Sequence, residues 1–190
     1  MLVSTNANGI WVGANCHDTY YGEHIGSWVF KCYGTRPPGD EAQQNVEYRK
    51  RGLRYLRHHA GRLPLVMAVR LGRLLDVYRP WTQGVFFNGV EGRRSNGTKL
   101  GLIAYWLLIP LGVAGAVVLR RRRNPLAILL APVAMVIAVG VATYGTTRFR
   151  FAAEPALVVL AAVALDAALR TWLERARESR ARARPAPRAA

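Results

Sequence analysis

Acidic residues are scarce in this chain of 190 residues: Asp and Glu number 11 against 27 Lys and Arg, for a formal net charge of +16. Such an imbalance excludes an ordinary mixed-sign soluble surface and points to something anionic nearby. Lysine is nearly absent too, with only Lys99 beyond Lys50, so almost all the positive charge is guanidinium. Arginine keeps its charge at any working pH and forks onto phosphate or carboxylate. Cysteine is limited to Cys16 and Cys32, and no C-x-x-C pair is present, which removes the usual zinc-site spacing. Charge of either sign is missing from two long stretches, Leu100–Leu119 and Asn124–Thr147.

Those two stretches are of membrane length. A hydrocarbon core of about 30 Å takes about 20 helical residues, and Leu100–Leu119 fits, with Tyr105 and Trp106 toward its N-terminal side. A second span is expected over residues 125–143, started by Pro125 and carrying Pro132, and a third over residues 151–169. The third holds Glu154 near one end and Asp166 near the other, so each must lie at an interface or face protein. A soluble bundle would need enough other protein to cover three apolar helices, and the remaining residues cannot supply it. Lys and Arg near the span ends set orientation. Arg120–Arg123 and the basic tail of residues 170–190, with Arg170, Arg175, Arg177, Arg180, Arg182, Arg184 and Arg188, contribute eleven to one side. Arg93, Arg94, Lys99, Arg148 and Arg150 contribute five to the other. The tail is therefore expected in the cytoplasm, with residues 1–98 and the loop 144–150 outside. Residues 1–11 show neither a basic nor an apolar leader region, so the chain is expected to be the C-terminal part of a longer multi-span protein.

Ahead of the spans, residues 1–61 read as a small α+β extracytoplasmic domain. Short β-prone runs, Gly9–Val12 and Ser27–Phe30, alternate with Gly, Asn and Pro. Cys16 and Cys32 are expected to pair on this oxidising side, with two buried thiols as the alternative. A ligand set of Cys16, His17, His24 and Cys32 is possible by residue type alone; no cofactor motif is visible, and a divalent metal stays open. From Asp40 the composition turns helical, with acids early, bases late and Gly61 at the end. His58 and His59 close this helix as caps or solvated side chains. A second helix is expected over residues 62–78, with Arg62, Arg73 and Asp76 on one side, Arg70 nearby and leucines over much of the rest. Too short and charged to span, it suits an interfacial amphipathic helix whose Arg62, Arg70 and Arg73 contact the membrane surface. Between Arg49 and Arg73 lie eight Lys and Arg and no acid, either a solvated face or a contact to anionic lipid. Residues 79–99 form a linker, and the sequon Asn96-Gly97-Thr98 carries no assignment. The Arg-rich tail reads as an anchor to anionic lipid rather than a nucleic-acid contact.

The loop YGTTRFRF, Tyr144–Phe151, places two arginines on the outer side against the charge bias. Snorkelling to headgroups is one explanation; the other is a pair of guanidinium forks facing the phosphate of a lipid-linked substrate.

STNAN, GANC, TYYG and GSWVFKC, a helix opening on DEA, the turn HHAGRLP, a basic helix, and YGTTRFR before AEPALVVLAAVAL occur here in order. Together they resemble the C-terminal half of a bacterial GT-C type membrane glycosyltransferase, similar to the dolichyl-phosphate-mannose protein mannosyltransferases and the aminoarabinose lipid A transferases. The resemblance implies a multi-span enzyme of the cytoplasmic (inner) membrane that moves a sugar from a polyprenyl-phosphate carrier to an envelope acceptor outside. It also implies that the arginine pair before the last span, here Arg148 and Arg150, faces the carrier phosphate. In the family a Pro follows soon after the pair; here the next is Pro155. The family's catalytic carboxylate sits in an early outer loop, so no catalytic residue is expected within this chain and its missing N-terminal half is an expected partner, with membrane lipids and the sugar donor. Glu23, Asp40 and Glu41 are the outer carboxylates at hand, more readily explained by solvation. The runner-up is a non-enzymatic membrane scaffold or envelope-binding protein.

Overall fold

A computed structural model describes residues 8–81 and 95–182. The protein is mostly helical, and among the described residues there is no strand. Among the described residues seven α-helices run in the order α1 (Gly9–Ala14), α2 (His17–Tyr20), α3 (Glu41–His58), α4 (Leu63–Leu74), α5 (Ser95–Arg121), α6 (Ala127–Ala142) and α7 (Glu154–Arg182). The chain divides into two compact units, Met1–Lys99 with Val133–Ala153, and Leu100–Pro132 with Glu154–Ala190.

Among the described residues of the first unit there are helices and turns, and no strand of the expected α+β domain. Gly9–Val12, read as β-prone, opens α1, and Phe30–Tyr33 forms a 3-10 turn after a single extended residue, Val29. Packing overrides the local preference. Gly9 and Gly13, one helical turn apart, leave room for two rings: a Cβ on Gly9 would meet the Tyr33 hydroxyl at 2.1 Å, and one on Gly13 the Trp28 Nε1 at 2.1 Å. Gly52 does the same from α3, where a Cβ would lie 2.3 Å from the Trp11 carbonyl oxygen. Helix α3 starts on a reciprocal cap: Asp40 Oδ1 accepts from Gln43 N at 2.8 Å, and Gln43 Oε1 accepts from Asp40 N at 3.2 Å. Arg57 and His58 lie in its last turn, against the negative end of the helix dipole. Cys16 and Cys32 are joined in a disulfide with Cα atoms 5.8 Å apart, a closure worth about 3 kcal/mol in the chain-entropy view.

Helix α4 begins with Pro64 in its first turn and ends at Leu74, short of the expected Tyr78. Its inner face supplies Val66 and Val69 to a core with Tyr20 and Ile25. Leu74 meets Val136 and Ala153 in a second core, bordered by Leu71, Val133 and Phe149. After α4 the chain turns back so that Val77 N and Tyr78 N both donate to Gly72 O, at 2.8 and 3.0 Å. Asp76 takes a left-handed φ of 53° in this turn, a region that Asp tolerates better than most residues.

The second unit is built on α5 and α7. Among the described residues two helices are long and apolar enough to cross a membrane, Asn96–Arg121 and Glu154–Ser179. Helix α6, at the place of the expected middle span, has 16 residues and covers about 24 Å, short of a full crossing at right angles. Helices α5 and α7 run in the same direction and touch through small residues. A Cβ on Gly112 would be 3.2 Å from Leu157, and one on Gly115 only 1.8 Å from the Leu160 carbonyl oxygen. Past Leu160 the pair opens into a groove of about 450 Å³ between Ala114, Val118, Ala164 and Trp172. Helix α7 continues through Arg170–Arg182 instead of ending at Leu169, and Asp166 pairs with Arg170 one turn on at 2.9 Å.

Candidate functional site

The segment Thr143–Ala153 lies within the first unit, and its placement depends on two arginines of α4. Arg70 is 1% exposed. Its Nη1 donates to Val141 O and Ala142 O, both at 3.3 Å. Its Nη2 donates to Ala14 O at 2.8 Å and Asn15 Oδ1 at 3.3 Å. Two of those carbonyls close α6 and one closes α1, so the guanidinium sits against the negative ends of two helices. Burial pushes Arg70 below its ordinary value, yet a guanidinium still keeps its proton at neutral pH. The same enclosure pushes the Tyr20 phenol up, against the pull of Arg70, and the Tyr20 hydroxyl donates to Asn15 Oδ1 at 3.0 Å.

Arg73, 6% exposed, donates from Nε to Ile25 O at 2.6 Å and from Nη2 to Glu23 O at 2.7 Å. Its guanidinium lies 5.2 Å from the Tyr78 ring centre. Headgroup contact by Arg70 and Arg73 is therefore replaced by internal hydrogen bonding, because backbone carbonyls of neighbouring segments converge where the helix wheel alone shows only a polar side. Arg62 is half-buried: its Nε donates to Tyr20 O at 2.8 Å and its guanidinium covers the Tyr21 ring at 4.1 Å.

On this frame the loop is seated closely. Gly145 N donates to Gly26 O at 2.8 Å, and a Cβ at Gly145 would strike Arg70 O at 2.3 Å and Arg73 Cβ at 2.7 Å. The two arginines of the loop part company. Arg150 forms an ion pair with Asp76, the side chains 12% and 7% exposed. Burial pushes the Asp76 carboxyl up while the Arg150 guanidinium draws it back. Arg148 is exposed, and its charge opposes the burial that pushes the Tyr144 phenol up.

Aromatic rings lead away from this loop. Tyr144 stands 5.1 Å from Phe149 and 6.5 Å from Trp28. Trp28 stands 6.0 Å from Tyr33, which stacks on Phe30 at 5.2 Å and meets Tyr48 edge-on at 4.8 Å. Phe30 is 73% exposed, and Trp28, Tyr33 and Tyr144 are half-buried. The arrangement offers an accessible guanidinium beside an aromatic surface.

Among the described residues no group of three or more His, Cys, Asp or Glu gathers at metal-binding distance. Cys16 and Cys32 are held by each other, Asp40 caps α3, Glu41 lies in its first turn, and the Glu23 side chain is exposed. Arg93, Arg94, Arg184 and Arg188 lie outside the described residues, as do residues 82–94 of the expected linker and most of STNAN. The side chains of Arg180 and Arg182 are likewise not described. Asp76 as the partner of Arg150 escaped the sequence reading. Its signal was present, as the first acid after the basic run Arg49–Arg73. Comparisons with protein-family models, curated proteins and solved structures returned no match.

Proposed function

We propose that this chain is the carrier-facing C-terminal part of an integral-membrane glycosyltransferase, acting outside the bacterial cytoplasmic membrane on a polyprenyl-phosphate-linked sugar. In this reading α5, α6 and α7 all cross the bilayer, α6 in a locally thinned or protein-lined region. The cytoplasmic tail follows α7 and residues 1–98 face outward, consistent with the eleven-to-five distribution of Lys and Arg. The observation that carries the reading is the difference in exposure between the loop's two arginines: Arg150 pairs with Asp76 and is half-buried, and Arg148 is exposed and acts electrostatically on the Tyr144 phenol, whose ring stands 6.5 Å from Trp28.

The chemistry fits that division. Sugar transfer forms a bond between the acceptor oxygen and the anomeric carbon and breaks the bond from that carbon to the carrier phosphate oxygen. The phosphate leaves with the electron pair, and a base takes the acceptor's proton. Arg148 faces the phosphate as charge builds on it, and its fork suits two phosphate oxygens. Arg150 is a positioning residue, fixing the loop through Asp76. The aromatic surface offers flat apolar faces to a sugar ring. The base comes from another part of the enzyme, and no residue of this chain is assigned that role.

Arg148→Ala in the complete enzyme should lower sugar transfer from a labelled polyprenyl-phosphate donor by about 100-fold, the usual cost of removing one preorganised charge-stabilising donor. Membrane insertion, followed by protease protection of the outer unit, should be unchanged. Transfer at the parental rate in membranes with equal protein would overturn the phosphate-facing role.

A further inference from the structure

Helix α4 is turned the opposite way from a helix on a wetted surface. Between Leu63 and Leu75 its only charged or polar side chains are Arg70 and Arg73, and both are buried. At about 100° per residue the opposite arc holds Pro64, Leu65, Met67, Ala68, Leu71 and Leu75. The first four of these are exposed and the two leucines that end the series are half-exposed. Leu65 is 50% exposed, and the segment after the helix adds Val77 at 65% and Trp81 at 56%. An ordinary surface helix shows its polar side to water; an exposed apolar face of this extent marks a contact.

The seating of α4 on α6 identifies what meets that face. Arg70 Nη1 donates to Val141 O and Ala142 O at the end of α6. Leu74 packs on Val136, and a Cβ on Gly140 would lie 3.0 Å from a Leu74 methyl. Helix α6 carries no charged residue from Ala127 to Ala142. Helix α4 is thereby held at the level where an apolar helix ends and unpaired backbone carbonyls begin, which in the membrane placement proposed above is the bilayer surface. Trp81 and the exposed Arg79, whose guanidinium lies 5.9 Å from the Tyr78 ring centre, are residue types that favour that level. We infer that α4 lies in the bilayer interface with its leucine face toward the acyl chains and its arginines toward the protein interior. The inference rests on the membrane placement and is independent of sugar transfer.

The test places a nitroxide at Leu65→Cys or Ala68→Cys, exposed sites outside both cores. The full chain is reconstituted in vesicles of phosphatidylcholine and phosphatidylglycerol, and labelled without reductant so that the Cys16–Cys32 disulfide stays closed. Lys50→Cys on α3 and Val113→Cys on α5, both exposed, are the water and lipid references. Relaxation by dissolved oxygen against a water-soluble nickel chelate reads depth. Both α4 labels are expected to favour oxygen, as the Val113 label does, at about 5–10 Å into the headgroup and acyl boundary. Nickel access equal to that at Lys50 overturns the inference by showing a wetted face. Protection from both relaxants overturns it too, by showing a face covered by protein, a second copy included. If the Val113 label itself behaves like Lys50, the membrane placement falls as well; if only the α4 labels do, the placement stands without the interface. A label-free measurement guards against a misfolded variant: the part of the parent's tryptophan emission that Trp81→Phe lacks should fall as brominated phosphatidylcholine is added, and an unchanged signal overturns the contact.

Discussion

The two units treat the same residue type in opposite ways. In the first unit Arg70 and Arg73 are buried and bound to backbone carbonyls from three other segments, at Ala14, at Glu23 with Ile25, and at Val141 with Ala142. In the helix pair the described arginine side chains stay on the exposed surface, and contact is made by glycine, Gly112 against Leu157 and Gly115 against the Leu160 backbone. The first unit is specified by directional bonds that only one arrangement satisfies. The helix pair is specified by close approach, as expected where lipid removes any apolar incentive for helices to associate. A polar network and a smooth helix contact should therefore fail in different ways.

The sharpest break is Arg70→Met, which orphans the carbonyls of Val141 and Ala142 and leaves Ala14 O to the Thr19 hydroxyl. It should cost the first unit about 3–5 kcal/mol and speed reduction of the Cys16–Cys32 disulfide, while leaving α5 paired with α7. Equal reduction rates in variant and parent would show the guanidinium to be dispensable. Next comes Gly115→Val, which drives side-chain atoms into the Leu160 carbonyl. A loss of about 1–3 kcal/mol is expected, seen as weaker cross-linking between cysteines placed at Ala114 and Ala164, with disulfide reduction unaltered. A simultaneous change in both readouts would erase the distinction between the units. The smallest effect belongs to Asp40→Ala, which removes the α3 cap for about 1 kcal/mol and should raise amide exchange only in the first turn of α3.

The comparison also explains what was legible beforehand. Helix α3 was visible because Asp40, Gln43, Arg57 and His58 act locally, each through the backbone of its own helix. The lipid-length stretches were visible because they depend on composition along the chain. The first unit's interior was not. Gly9 and Gly13 read as turn or strand residues until Tyr33 and Trp28 are known to press on them. Arg70 and Arg73 read as a wet helix face until distant carbonyls are known to converge there. At the candidate site, Arg148 and Arg150 stood out as charges on the wrong side, but that Arg150 pairs with Asp76 in a largely buried setting while Arg148 is exposed required the position of Asp76.

The carbonyl brace around Arg70 has a further consequence. The groups bonded to it are three peptide oxygens and an amide, none of which gains or loses a proton in aqueous working conditions. An arginine held by carboxylates would weaken as its surroundings turned acid; this one has no titrating partner to lose. The seat of the Thr143–Ala153 loop at Arg70 is thus indifferent to acidity, and any acid sensitivity of the loop would enter through Asp76 instead.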